Sequence, residues 1–178
     1  MRKCHNIVLI GPVGAGKTSL GKLLADEINW DFYDSDNVLE ERSGVNLLWI
    51  YDLEGHEGLR KREEFIIGEL VQQSRIVLST GGESVASLKN RNIIRKYGLV
   101  VYLAISLDDQ LLRTGYGKKR PLSMEDSERL STLVKLQKEY LPIYKELADI
   151  SYSTTNKHPK VVVADLIELI KNNSRIRI

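Results

Sequence analysis

"GPVGAGKTSL" occupies Gly11–Leu20 and directly follows the apolar run Ile7-Val8-Leu9-Ile10. Gly11, Gly16, Lys17 and Thr18 satisfy the pattern G-x-x-x-x-G-K-[ST]. A strand-like run precedes them, and a helical stripe of Leu20, Leu23, Leu24 and Ile28 follows. Glycines at this spacing let the backbone curl until successive N–H groups converge on one anion, and the helix N-terminus adds partial positive charge at the same point. The stretch therefore predicts a triphosphate site. Backbone and side chains of Gly14, Ala15, Gly16, Lys17, Thr18 and Ser19 hold the phosphates, Lys17 reaches the β- and γ-phosphates, and the Thr18 hydroxyl ligates Mg²⁺.

The rest of the chain repeats the alternation. Strand candidates are Asn6–Ile10, Asp31–Tyr33, Ile76–Thr80, Leu99–Ile105 and Ile150–Ser153, several of them continuous apolar runs. Such runs suit strands covered on both faces. A helical stripe of Val162, Leu166, Leu169 and Ile170 closes the chain. The expected fold is α/β, a three-layer arrangement with a central five-stranded parallel sheet flanked by helices, and ligands at the carboxyl ends of the strands.

Composition sets the outer bounds. At 178 residues, 42% hydrophobic and 28% charged, the chain is expected to be one globular domain spanning 1–178. Lys+Arg minus Asp+Glu is 26 − 24 = +2, too mild a balance to argue for nucleic acid. The single cysteine, Cys4, forbids an internal disulfide and fits a reducing, cytoplasmic setting. Cys4 itself reads as a bystander. No run resembles a signal peptide or a membrane span. His5, His56 and His158 show no metal-ligand spacing and are expected on the surface or in loops.

Four further stretches admit two readings each from their residues alone. "DFYDSDNVLEE" puts Asp34 and Asp36 at the mouth of the sheet, as Mg²⁺ ligand and proton-accepting base or as helix N-caps. "GHEGLRKREE" carries Arg60 as an anion-binding group or as part of a solvated face paired to Glu64. "VLSTGGESV" places Gly81 and Gly82 at a strand end, to make a turn or to let a ligand approach. "LLRTGYGKKRPL" joins cations to glycines, as a mobile lid carrying Arg120 or as a surface linker.

In this order, together with "LPIYKELAD", these motifs resemble the shikimate kinases, small P-loop kinases of the nucleoside-monophosphate-kinase fold class, over roughly 6–170. The resemblance implies transfer of the ATP γ-phosphoryl group to the 3-hydroxyl of shikimate, on the route to chorismate and the aromatic amino acids. It assigns catalytic roles to Lys17, Asp36 and Arg120, and Mg²⁺ to Thr18 and Asp34. It places Arg113 and Pro159 on either side of adenine. Asp36, Arg60, Gly81, Gly82 and, by position, Tyr140 would surround the acceptor. A lid at about 114–124, an acceptor-binding helical region at about 35–65 and a monomeric state are expected, with ATP and shikimate as partners and neither nucleic acid nor membrane.

Three departures bear on the acceptor. The family's third glycine is Glu83. The segment written "GE..FR" in relatives has His56 and Leu59. Where relatives carry an arginine two residues before the proline, this chain has Tyr140, ahead of Leu141 and Pro142. Loss of one charge-assisted hydrogen bond costs about 1.5–3 kcal/mol, or roughly 10- to 150-fold in affinity. Two other activities stay compatible with the residues: a kinase for another small hydroxylated metabolite, and a nucleotide-binding module without turnover.

Overall fold

The structure, a computed structural model, describes residues 4–115 and 126–178. Five parallel strands form one sheet in the order β2-β3-β1-β4-β5: β1 (Asn6–Ile10), β2 (Asp31–Asp34), β3 (Ile76–Ser79), β4 (Gly98–Ala104) and β5 (Ile150–Ser153). The helices are α1 (Lys17–Ile28), α2 (Ser35–Ser43), α3 (Leu47–Leu70), α4 (Leu88–Tyr97), α5 (Leu107–Gly115), α6 (Asp126–Leu147) and α7 (Pro159–Lys171). β1 lies at the centre, with Val8 in register with Leu78 of β3 and Val100 of β4.

Alternation along β1 divides the core in two. Ile7 and Leu9 face a layer completed by Leu20 and Leu24 of α1 and Val162, Val163, Leu166 and Ile170 of α7. Val8 and Ile10 face the other layer, with Ile66, Ile67 and Leu70 of α3, Ile94 of α4, and Tyr140, Tyr144 and Leu147 of α6. All four β1 side chains are fully buried, and each such aliphatic group contributes about 1.5–3 kcal/mol relative to exposure. The sheet is therefore the rigid floor from which the loops at its carboxyl edge project.

Two of the stripe residues face outward instead. Leu23 and Leu169 are exposed, at 39% and 41%. The buried faces use smaller neighbours. Gly21 and Ala25 of α1 and Val163 of α7 take the inward positions. A Cβ on Gly21 would stand 2.6 Å from the Phe32 ring, so α1 lies against β2 only because residue 21 has no side chain. Cys4 is not a bystander: it is buried at 4% in the α1/α7 layer, its N–H donates to the Arg175 carbonyl, and its sulfur accepts from the Arg175 guanidinium.

α3 is interrupted at Gly55, whose φ of 68° and ψ of −175° are not helical. A left-handed φ is accessible to glycine at little cost. The break redirects the chain between Trp49 and Arg60. No helix among the described residues is long and apolar enough to cross a membrane.

Candidate functional site

β1 runs into the glycine loop, and Gly16 caps α1 with φ 90° and ψ 16°. A side chain at that φ would be strained, so the second motif glycine is required by the backbone. The turn brings Lys17 back over the loop. Its ammonium donates to the Gly11 carbonyl at 2.7 Å and to the Pro12 carbonyl at 2.9 Å, with only 9% of the residue exposed. Carbonyl oxygens here occupy donors that would turn toward phosphate oxygens.

From the next residue, the Thr18 hydroxyl donates to Asp34 Oδ2 at 2.6 Å. Asp34 sits at the carboxyl end of β2 and caps α2, its Oδ1 accepting from the Asp36 and Asn37 N–H groups at 3.1 and 3.3 Å. The capping reading of this aspartate is realised through one oxygen, and the other oxygen faces Thr18. A hydroxyl and a carboxylate beside a phosphate loop are the hard oxygen donors that Mg²⁺ takes, and their contact fits that ion.

β3 ends at Ser79, and Gly81 and Gly82 follow. The Gly81 N–H donates to Ser35 Oγ at 3.2 Å, and its carbonyl accepts from Ser84 Oγ at 2.7 Å. A Cβ on Gly81 would lie 2.8 Å from Asp36 Oδ1 and 3.2 Å from Glu63 Oε1. Both carboxylates therefore pack on the bare Cα. Glu63 was not singled out by its sequence. It lies in "RKREE", where a run of charges conceals which member turns inward; its spacing of three from Arg60, one helical turn, was the available signal.

These elements enclose a cleft of about 820 Å³. Its walls include Gly14, Gly16, Lys17, Thr18, Ser19, Asp34, Asp36, Gly81, Gly82, Arg113 and Pro159, eleven of the predicted site residues. Ala15 is buried in the core, and its carbonyl accepts from Thr154 Oγ1. At the far end from Asp36, the Arg113 guanidinium donates to the Gly14 and Thr154 carbonyls at 3.3 and 3.2 Å. Pro159, which opens α7 with His158 as its cap, lines the same cleft as this arginine.

Arg60 and Tyr140 stand behind the wall rather than in it. Tyr140 is buried at 6%, and Tyr144, one turn on, donates its hydroxyl to the Gly82 carbonyl at 2.5 Å and stacks on Tyr102. Burial pushes the Tyr140 phenol up to about 12, the Glu83 and Glu139 carboxylates add to the rise, and Arg60 opposes it. Glu83 Oε2 in turn lies 3.8 Å from His56 Nε2. The expected Arg60–Glu64 pairing gives way to another: Glu64 accepts from Ser87 Oγ at 2.6 Å and lies 3.6 Å from Lys89. Arg120, with most of the expected lid at 114–124, lies outside the described residues.

A parallel sheet, a glycine loop with its lysine buried against it, a Thr–Asp pair and a second carboxylate two residues further define a P-loop phosphotransferase. The shikimate kinase family model matches residues 13–171. A shikimate kinase of Haemophilus influenzae is 46% identical over 172 residues, covering 97% of this chain and 96% of that protein. One from Actinobacillus pleuropneumoniae is 49% identical over 172 residues, covering 97% and 99%. The structure of shikimate kinase from Acinetobacter baumannii in complex with shikimate superposes with a TM-score of 0.90 at 36% identity, covering 96% of this chain and 95% of that one. The chain belongs to the shikimate kinase family.

Proposed function

We propose that this chain transfers the γ-phosphoryl group of ATP to the 3-hydroxyl of shikimate, and that Asp36 aims that hydroxyl. The observation that carries the reading is the position of Asp36. Its carboxylate lines the same cleft as Lys17 and Thr18 and rests on Gly81, where an alcohol can approach the end of a triphosphate. The solved complex of the Acinetobacter baumannii relative with shikimate supports the choice of acceptor.

In this reading Arg113 and Pro159 hold the base, and the N–H groups of residues 14–19 cradle the phosphates. Lys17 exchanges the Gly11 and Pro12 carbonyls for phosphate oxygens as nucleotide binds. Mg²⁺, held by Thr18 and, through water, by Asp34, would neutralise charge on the phosphates. Asp36 accepts or orients the hydroxyl proton while the oxygen attacks, and Arg60 attracts the acceptor's carboxylate from behind Gly81 and Gly82. Arg120 would stabilise the charge of the transferring group from a lid at 114–124, and the helices within 35–65 would form the acceptor side. We take the enzyme to be a cytoplasmic monomer.

Turnover with Mg-ATP and shikimate, quinate or gluconate, followed by isolation of the phosphorylated product, tests this. Shikimate 3-phosphate as the principal product is expected. Preferred phosphorylation of another acceptor would overturn the assignment.

A further inference from the structure

Gly81 and Gly82 are consecutive in the cleft wall but serve opposite sides of it. A Cβ on Gly81 would meet Asp36 and Glu63. A Cβ on Gly82 would instead stand 3.4 Å from the Val13 nitrogen and 3.8 Å from the Gly11 oxygen, in ordinary contact with the phosphate loop. The diglycine is therefore the spacer between the loop that holds the triphosphate and the carboxylate that meets the acceptor. Two adjacent glycines have no side chains to pack and give up the most backbone freedom on ordering, so hydrogen bonds must hold them. Gly81 is held locally, its N–H by Ser35 Oγ and its carbonyl by Ser84 Oγ. Gly82 is held from far along the chain. Tyr144 of α6 donates to its carbonyl at 2.5 Å, the short end of the range for an O–H···O bond. Tyr144 is itself fixed: it is 3% exposed, and its ring lies on that of Tyr102 with centroids 5.1 Å apart and planes inclined by 14°. Tyr102 in β4 pairs with Ile10 of β1, the residue directly before Gly11. The phenol that holds Gly82 and the phosphate loop that Gly82 touches thus start from the same rung of the sheet.

We propose that Tyr144 is a positioning residue for phosphoryl transfer: its hydroxyl, through the Gly82 carbonyl, sets the gap between the phosphate loop and the Asp36 carboxylate. It acts through the backbone of the diglycine and not on a substrate. The kinetic consequence rests on the acceptor reading given above; the tether itself does not.

The test is Tyr144→Phe in the full chain, which keeps the ring and its stack and removes one oxygen. A drift of the freed Gly82 by about 0.5 Å corresponds to roughly tenfold in rate, taking about 100-fold for 1 Å. With Mg-ATP and shikimate, kcat is expected to fall by about that factor while ADP affinity, read by titration, stays native. Tyr102→Phe removes a hydroxyl from the same stack and leaves the Gly82 bond in place, so its kcat is expected to stay native. A kcat in Tyr144→Phe within about threefold of native, an equal loss in Tyr102→Phe, or a loss carried by ADP affinity alone overturns the proposal. Amide hydrogen exchange reads the tether without turnover. One hydrogen bond fewer corresponds to about 2- to 12-fold in a local opening equilibrium. The amides of Gly81 and Ser84, bonded to Ser35 Oγ and to the Gly81 carbonyl, are expected to exchange faster by that factor in Tyr144→Phe and at the native rate in Tyr102→Phe. Exchange in Tyr144→Phe within about twofold of native overturns the inference whatever the acceptor. If the native chain leaves shikimate unphosphorylated, the functional reading fails while exchange still decides whether Tyr144 holds the diglycine.

Discussion

Gly81→Ala isolates the geometry of the reacting alcohol from everything else in the cleft. The added Cβ would stand 2.8 Å from Asp36 Oδ1, against an ordinary contact beginning at 3.4 Å, so the carboxylate must retreat by about 0.6 Å. Glu63 Oε1, at 3.2 Å from the same Cβ, narrows the directions open to it. A misplacement of 1 Å costs about 100-fold in rate, so 0.6 Å corresponds to roughly 10- to 20-fold in kcat, or about 1.4–1.8 kcal/mol of barrier. Backbone strain does not confuse the result, because Gly81 lies outside the left-handed region and alanine there restricts the unfolded chain. Steady-state kinetics with varied acceptor, alongside nucleotide titration and thermal unfolding, give the answer. We expect kcat to fall by that factor, with nucleotide affinity native and Tm within a few degrees. An unchanged kcat would show that Asp36 does not aim the hydroxyl from the position described.

Three other outcomes follow from the same structure. Lys17→Met should weaken nucleotide binding itself, measured by titration with ADP, because Lys17 is the buried cation of the phosphate loop. Asn6→Ala should destabilise the fold by about 1–3 kcal/mol in denaturant unfolding, since the Asn6 amide donates to the Val71 and Gln73 carbonyls at 2.9 and 2.8 Å and its loss leaves the buried Val71 carbonyl without that donor. The Tyr140 phenol, raised to about 12 from an ordinary value near 10, adds about 2–3 kcal/mol of stability that is complete below pH 10 and disappears between roughly pH 10 and 12 as the unfolded phenol ionises first. Tyr140→Phe should flatten the stability profile across that window; an equally steep fall in the variant would point to another group.

Much of this is legible in the sequence. The strands could be read because both faces of the sheet are covered, which turns Ile7–Ile10 and Leu99–Leu103 into unbroken apolar runs. The phosphate loop was legible because its function constrains backbone and side chains at fixed spacing. Helix faces were harder. Large apolar residues at helical spacing drew Leu23 and Leu169 into the expected core, yet close approach to the sheet selects small residues such as Gly21, which carry no hydrophobic signal. Glu63 was hidden for the opposite reason, one inward carboxylate within a run of outward charges. Cys4 could not be placed because its burial depends on Arg175, which is distant in sequence and reaches back to it. At Asp34 the capping reading did not exhaust the side chain, since a carboxylate has two oxygens: one caps α2 and the other accepts from Thr18.

The most direct test of the central claim is ADP release at saturating Mg-ATP as shikimate is added, run in parallel for the native chain and for Asp36→Asn. The account predicts saturable, shikimate-dependent release in the native protein and a fall of at least about 100-fold in kcat for the variant, with nucleotide affinity retained. Release that does not depend on shikimate, or a variant as fast as the native enzyme, would contradict it.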